Sequence, residues 1–315
     1  MVARIVRFVS FAIALPVFAA ATALAQDVSD EDAASFEVWR SGFEARLVER
    51  GVDETIAASM MEGLELDPRI LERDSSQPEF VRPIWVYLNG AASDARVANG
   101  RRAQENHAEA LIAVEGQFDV DTDILTAIWG LESAYGEIMG NFDLVRSLST
   151  LAWDGRRRSF AESQLFAVAE MLTQGYARRD DLLGSWAGAM GQTQFIPTTY
   201  MARAVDVDGD GRRDIWQSEA DALGSAANLL TMAGWEAEAP VVYEVSLPDD
   251  FDYGDWNSRR RRAVSAWALD GLQLADGEWL AEDMYRSGRL LIPAGSGGPA
   301  FLAFGNFDAL MEYNN

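Results

Sequence analysis

The sequence predicts a mainly α fold with a small β-containing region at its C-terminal end. Two patterns carry this. Apolar residues recur at helical spacing through most of the chain before Pro240. After Pro240 the pattern changes to short strand-like runs bounded by Pro and Gly. With 315 residues, 49% of them hydrophobic, the chain has material for one large core or two smaller ones.

Taken in order, residues 1–25 read as a secretory signal. Arg4 and Arg7 form a basic start, Phe8 to Ala21 an apolar run broken by Pro16, and Ala23-Leu24-Ala25 a cleavage site before Gln26. A membrane anchor is the alternative, but the run falls short of the ~20 residues a spanning helix needs. The mature chain is expected to be soluble and exported. Loss of Arg4 and Arg7 would deepen its net charge from −24 to −26.

Residues 26–120 are expected to form an N-terminal helical region. Phe36, Trp39, Phe43 and Leu47 share a helical stripe, as do Ile56, Met60 and Leu64. Val97 to Val114 reads as one polar-rich helix, with His107 on its solvated side. Residues 121–238 are the next expected unit, and residues 239–315 the β-containing one. In the latter, 241–247, 289–292 and 300–304 read as strands. Asn257 to Leu269 reads as an amphipathic helix with Arg259 to Arg262 on a solvated face.

The absences narrow the chemistry. There is no Cys, one His and no Lys, so all 26 basic residues are Arg. Disulfides, thiolate chemistry, Schiff bases and a His-rich zinc site are excluded. The acidic balance argues against a nucleic-acid partner. With no Cys after the cleavage site, lipid attachment there is excluded as well. What remains is carboxylates, hydroxyls, amides, Arg or an oxygen-bound cation.

Ile124 to Met139 reads as a helix capped by Asp121 or Thr122, with Leu125, Ile128 and Trp129 on its apolar stripe. The next position on that stripe is Glu132. Burial raises a carboxyl pKa, which suits a general acid near neutral pH. The other reading is a structural Glu paired with an Arg or capping a helix. Further on, Gly184 to Pro197 is rich in small residues. Gln192 and Gln194 offer amides, and Trp186 and Phe195 offer ring faces, for a sugar.

Gly130-Leu131-Glu132-Ser133-Ala134-Tyr135-Gly136, with the later Gly188-Ala189-Met190-Gly191 and Gln194-Phe195-Ile196-Pro197, resembles the lytic murein transglycosylase B family. Gln77 to Phe80, Trp85 with Tyr87, Arg157-Arg158, the Asp206 loop, Gly298 to Leu302 and Tyr313-Asn314 extend the likeness over the mature chain.

The resemblance implies a lysozyme-like helical core with flanking helices and a small β-containing domain. It also implies cleavage of the MurNAc-β-1,4-GlcNAc bond of peptidoglycan glycan strands, giving 1,6-anhydromuramoyl ends. Glu132 would serve as acid and then base, with no convincing second carboxylate beside it in sequence; Asp143 and Asp154 are the nearest acidic loop residues. Ser185, Gln194, Arg157 and Arg158 match substrate-contacting positions of the family, as do Tyr87, Tyr313 and Asn314. Members continue past the Tyr-Asn pair into a closing helix, so Tyr313 and Asn314 are expected near a frayed end. Cell-wall synthesis or division proteins as partners are not identified. A lysozyme-type hydrolase and a non-catalytic peptidoglycan-binding protein are the rival readings.

The chemistry needs no cofactor, but a structural Ca²⁺ is a candidate. Asp206, Asp208 and Asp210 occupy positions 1, 3 and 5 of an EF-hand-like loop, Gly211 the turn position, and the Arg212 carbonyl position 7. Position 12 is Gln217, which cannot supply a bidentate carboxylate. By the resemblance Asp221 supplies the final carboxylate, with Glu219 as rival.

Overall fold

The computed structural model describes residues 28–76, 84–254, 256–276, 279 and 281–314. The expected export signal and Gln77 to Phe80 lie outside the described residues. Among the described residues no helix is long and apolar enough to cross a membrane.

The N-terminal helices are α1 (Asp30–Glu49), α2 (Glu54–Met61), α3 (Pro68–Ser76), α4 (Ile84–Ala91), α5 (Asp94–Asn106) and α6 (Ala108–Phe118). Ser29 caps α1 by accepting from the Asp32 N–H at 3.1 Å, and Phe36, Phe43 and Leu47 form its buried stripe as the spacing predicts. The predicted helix Val97–Val114 is in fact two. The break falls at His107, whose backbone leaves the helical region at φ −119° and ψ 27°. Its imidazole is not on a solvated face but meets Trp129 edge-on at 5.1 Å.

Next come α7 (Thr122–Ser133), β1 (Phe142–Asp143), α8 (Leu144–Asp154), α9 (Arg158–Thr173), β2 (Leu183–Gly184), α10 (Pro197–Arg203) and α11 (Glu219–Met232). β1 and β2 pair antiparallel. The helices enclose one large core in which Trp129, Phe43, Tyr200, Leu125, Leu144 and Leu148 are among the largest fully buried side chains. Asp143 caps α8 and holds Arg179 at 2.9 Å.

A second cluster lies on a five-stranded antiparallel sheet: β3 (Val242–Ser246), β4 (Arg261–Ala263), β5 (Gln273–Leu274), β6 (Ser287–Leu291) and β7 (Ala300–Ala303), in the order β4-β6-β7-β3-β5. Helix α12 (Val264–Leu269) follows β4. The predicted helix over Asn257–Leu269 is therefore a helix only from Val264 onward, with a turn and the short strand β4 before it. β4 pairs with β6 in the register Arg261 to Arg289, a partner that no local pattern reveals. Nor is the Arg run simply solvated: Arg262 pairs with Asp270 and covers the Trp267 ring, and Arg261 pairs with Asp308. Helix α13 (Gly305–Met311) and a closing 3₁₀ turn, Glu312–Asn314, lead back to the large core.

Candidate active site

The helix predicted to reach Met139 stops at Ser133. Ala134, Tyr135 and Gly136 follow with φ of 52°, 64° and 84°. Two left-handed non-glycine residues in succession are costly, and they are fixed from several sides. The Tyr135 N–H donates to the Trp129 carbonyl at 3.2 Å, closing the helix end. The Gly136 N–H donates to Ser133 Oγ at 2.9 Å. The Tyr135 hydroxyl donates to the Arg96 carbonyl at 2.8 Å, and its ring meets Trp129 edge-on. Arg96 in turn donates to the Gly130 carbonyl. Arg96 comes from α5, so no helical periodicity announces the stop.

Glu132 thus sits in the last turn of α7, half-buried between the exposed Leu131 and the buried Ser133. Burial alone pushes its carboxyl up to about 7, and no cation or hydrogen-bond donor among the described residues offsets that. The reading of Glu132 as an ion-paired structural residue is therefore not met.

Tyr313 stands beside it. Its hydroxyl donates to the Thr193 carbonyl at 3.2 Å, and its ring lies 6.0 Å from that of Phe195. Burial, and the neighbouring Glu132, raise the phenol well above its ordinary value, so it stays a neutral donor. Rather than fraying, the closing turn docks against the core.

The segment from Gly184 to Pro197 meets α7 through Gln192 and the closing turn through Thr193. Ser185 Oγ accepts from the N–H groups of Ala187 and Ala189, at 3.3 and 3.0 Å, which shapes the turn and leaves its own proton to donate. Gln194 donates to the carbonyls of Met139 and Gly191, at 3.1 and 2.9 Å. Its carbonyl oxygen keeps the capacity to accept from a ligand. Trp186 is half-buried. Two expectations fail here. Phe195 is 2% exposed and offers no face to a sugar. Gln192 is 3% exposed, with Oε1 taken by the Trp129 indole at 2.9 Å and Nε2 given to the Trp216 carbonyl at 3.2 Å. Its partners lie 63 and 24 residues away in sequence, so no local signal marks it as structural.

The remaining candidates are less tied to Glu132. Arg157 lies 3.5 Å from the buried Asp74, which Arg156 also pairs, and covers the Phe160 ring. Arg158 donates to the carbonyls of Ala152 and Trp153, closing the end of α8. Both have intramolecular work at the junction of α3, α8 and α9. Tyr87 falls on α4 and Asn314 in the closing turn, and their side chains lie outside the described residues.

The acidic loop closes on itself. Asp206 accepts from the N–H groups of Gly209 and Gly211, and Asp208 from Ser218 Oγ. Asp221, fully buried, accepts from Val207 and Asp214, at 2.7 and 2.8 Å, so it spans both ends of the loop. One carboxylate oxygen from each of Asp206, Asp208, Asp210 and Asp221 lies within 4.8 Å of the others. Glu219, in the first turn of α11, is not among them.

The Transglycosylase SLT domain family matches residues 35–315. SltB3 from Pseudomonas aeruginosa, solved with NAG-NAM-pentapeptide and again with NAG-anhNAM-pentapeptide, is 46% identical with a TM-score of 0.84, over 89% of this chain and 75% of that one. SltB1 from the same organism is 26% identical with a TM-score of 0.74, over 87% of this chain and 92% of that one. Membrane-bound lytic murein transglycosylase B of Escherichia coli (strain K12) is 29% identical over 240 residues, 73% of this chain. The chain spans 63% of the length of that curated relative.

Proposed function

The chain belongs to the transglycosylase SLT domain family, mainly α with a lysozyme-like core, and from that premise we propose that it is a peptidoglycan lytic transglycosylase. It would cleave the MurNAc-β-1,4-GlcNAc bond with Glu132 as the sole acid and base. The observation that carries this reading is the Glu132 carboxyl. It is half-buried, pushed up to about 7, and without an offsetting cation or donor among the described residues.

Glu132, protonated, gives its proton to the bridging oxygen as the C1–O bond breaks. The 2-acetamido group of the muramoyl residue stabilises the positive charge left at C1. Glu132, now ionised, takes the proton from the C6 hydroxyl while O6 attacks C1 and closes the anhydro ring. No water is consumed and no protein nucleophile is required, in contrast to the two-carboxylate glycosidases. Asp143 and Asp154 do not compete for a second role: the first caps α8 and pairs with Arg179, and the second is exposed beside Arg156. Ser185 and Gln194 would bind substrate polar groups, with the Tyr313 ring beside the acid.

Glycan strands are the expected partner, and export to the periplasm through the N-terminal signal the expected route. The test is digestion of purified sacculi followed by mass spectrometry. Anhydro ends are lighter than reducing ends by one water, so a lysozyme-type hydrolase is distinguished directly, and a binding protein releases nothing. Glu132→Gln is expected to lose activity by ~10²-fold or more, the range for a lost general acid. Retention of full activity would sink the mechanism.

We also infer a structural Ca²⁺ held by Asp206, Asp208, Asp210, Asp221 and the Arg212 carbonyl. The donor set fits a hard cation: carboxylates converge, and the enclosed Asp221 is raised from its ordinary value chiefly by burial. The ion would cross-link the loop to α11 and take no part in bond cleavage. At ten times its dissociation constant it would stabilise by about 1.4 kcal/mol. Chelation should lower the melting midpoint by a few degrees; an unchanged midpoint would remove the assignment.

A further inference from the structure

One buried amide beside the site is used by none of these steps. We propose that Gln192 is a positioning residue that clamps the turn after Glu132 to the exit of the acidic loop, and so sets the geometry of the acid. The proposal rests on the transglycosylase reading of Glu132.

Gln192 joins three segments. Its Oε1 accepts from the Trp129 indole in α7, one helical turn before Glu132. Its Nε2 donates to the Trp216 carbonyl, and its backbone N–H donates to Ile215 at 2.9 Å, both at the loop exit. The left-handed turn closes directly on the amide: a Cβ on Gly136 would lie 2.7 Å from Gln192 Oε1. The two residues that follow make further ties in the same region. The Thr193 carbonyl anchors Tyr313, and Gln194 anchors the Met139 carbonyl. The far side of the loop exit is fixed as well, because the Tyr200 hydroxyl donates to the Arg213 carbonyl at 2.9 Å and the Asp214 backbone N–H donates to the Asp221 carboxylate. A rigid path therefore runs from α11 through the loop exit and Gln192 to the end of α7.

Only an amide satisfies both partners at this length. It accepts from an indole N–H and donates to a carbonyl. Glutamate would keep the first bond but set an oxygen against the Trp216 carbonyl. Methionine would keep the length and supply neither bond, leaving a buried donor and acceptor unpaired.

The test uses the full chain with Gln192→Met and Gln192→Glu, assayed on soluble glycan fragments well below each melting midpoint. Melting curves are run in parallel, and the Trp129 indole N–H resonance is followed by NMR. Displacement of the acid predicts a kcat loss of roughly 10–10²-fold for Gln192→Met, with KM changed by less than about threefold, since binding groups remain. The alkaline limb of the pH profile should move to lower pH as water reaches Glu132. Gln192→Glu should fall between wild type and Gln192→Met in all three readouts, and remains informative if Gln192→Met does not fold. The proposal fails if folded variants keep the wild-type limb and kcat, or if lost activity tracks lost folded protein with an unmoved limb. Absence of anhydro products from wild type would instead overturn the transglycosylase reading, while the indole resonance would still report whether Gln192 holds Trp129.

Discussion

On the proposed mechanism Glu132 must release a proton near neutral pH and so be kept from releasing it early, and burial is the cause that holds it. Its carboxyl is raised from 4.5 to about 7, so the sign of two pH effects is fixed. Activity should decline as pH rises through about 7, because the acid is then ionised before substrate arrives. Stability follows the same direction. The folded state keeps the proton that the unfolded chain gives up near 4.5, so the contribution is fully present below 4.5 and is lost as pH rises through about 7. A shift of this size corresponds to about 3 kcal/mol above pH 7. Glu132→Gln, neutral throughout, should match wild type in urea denaturation at pH 4. At pH 8 it should be the more stable by up to that amount. An equal difference at both pH values would show that the acid is solvated. Glu132 was legible from sequence because a carboxylate interrupts an apolar stripe. Gln192 was not, because an amide next to a sugar cleft has the same composition whether it faces the sugar or the core.

At the scale of elements, local patterning located stripes and strands but not the points where distant segments intervene. The buried face of α1 and strands β3, β6 and β7 follow from spacing alone. The stop of α7 depends on the Arg96 carbonyl, 39 residues before the tyrosine that binds it. The split of the 257–269 segment depends on pairing with β6. The acidic loop shows the same division: its three early aspartates are a sequence motif, whereas Asp221 was reached through the family resemblance, and α11 brings its carboxylate to theirs. The loop exit is also where a small change should be expensive. Gly191 has φ 72°, and a Cβ there would meet the Ile215 side chain at 2.6 Å and its carbonyl at 2.9 Å. Gly191→Ala combines left-handed strain with a clash against backbone, so a loss of about 2–3 kcal/mol is expected. Chemical denaturation reads this directly, and a variant within about 0.5 kcal/mol of wild type would mean that the loop exit is free to move.

For the whole molecule, the small sheet supports the site by returning the chain to it. Arg261 and Arg289 hold Asp308 of α13 from β4 and β6. Asn306, 1% exposed, donates to the carbonyls of Glu236 and Ala239 and accepts from the Glu236 N–H. That one side chain ties α13 to the connection between α11 and β3. Ala309 enters the large core, and Tyr313 reaches the Thr193 carbonyl. Two substitutions separate the anchor from the group it delivers. Asn306→Ala strips three hydrogen bonds from a buried junction, which should cost about 3 kcal/mol. It should also lower kcat in the folded fraction, because the turn bearing Tyr313 loses its support. Tyr313→Phe keeps the ring and removes only the hydroxyl, so it should cost about 1 kcal/mol and test the Thr193 bond alone. Urea unfolding together with steady-state rates decides the matter. If Asn306→Ala unfolds earlier yet its folded fraction turns over substrate at the wild-type rate, the sheet stabilises the chain without positioning Tyr313.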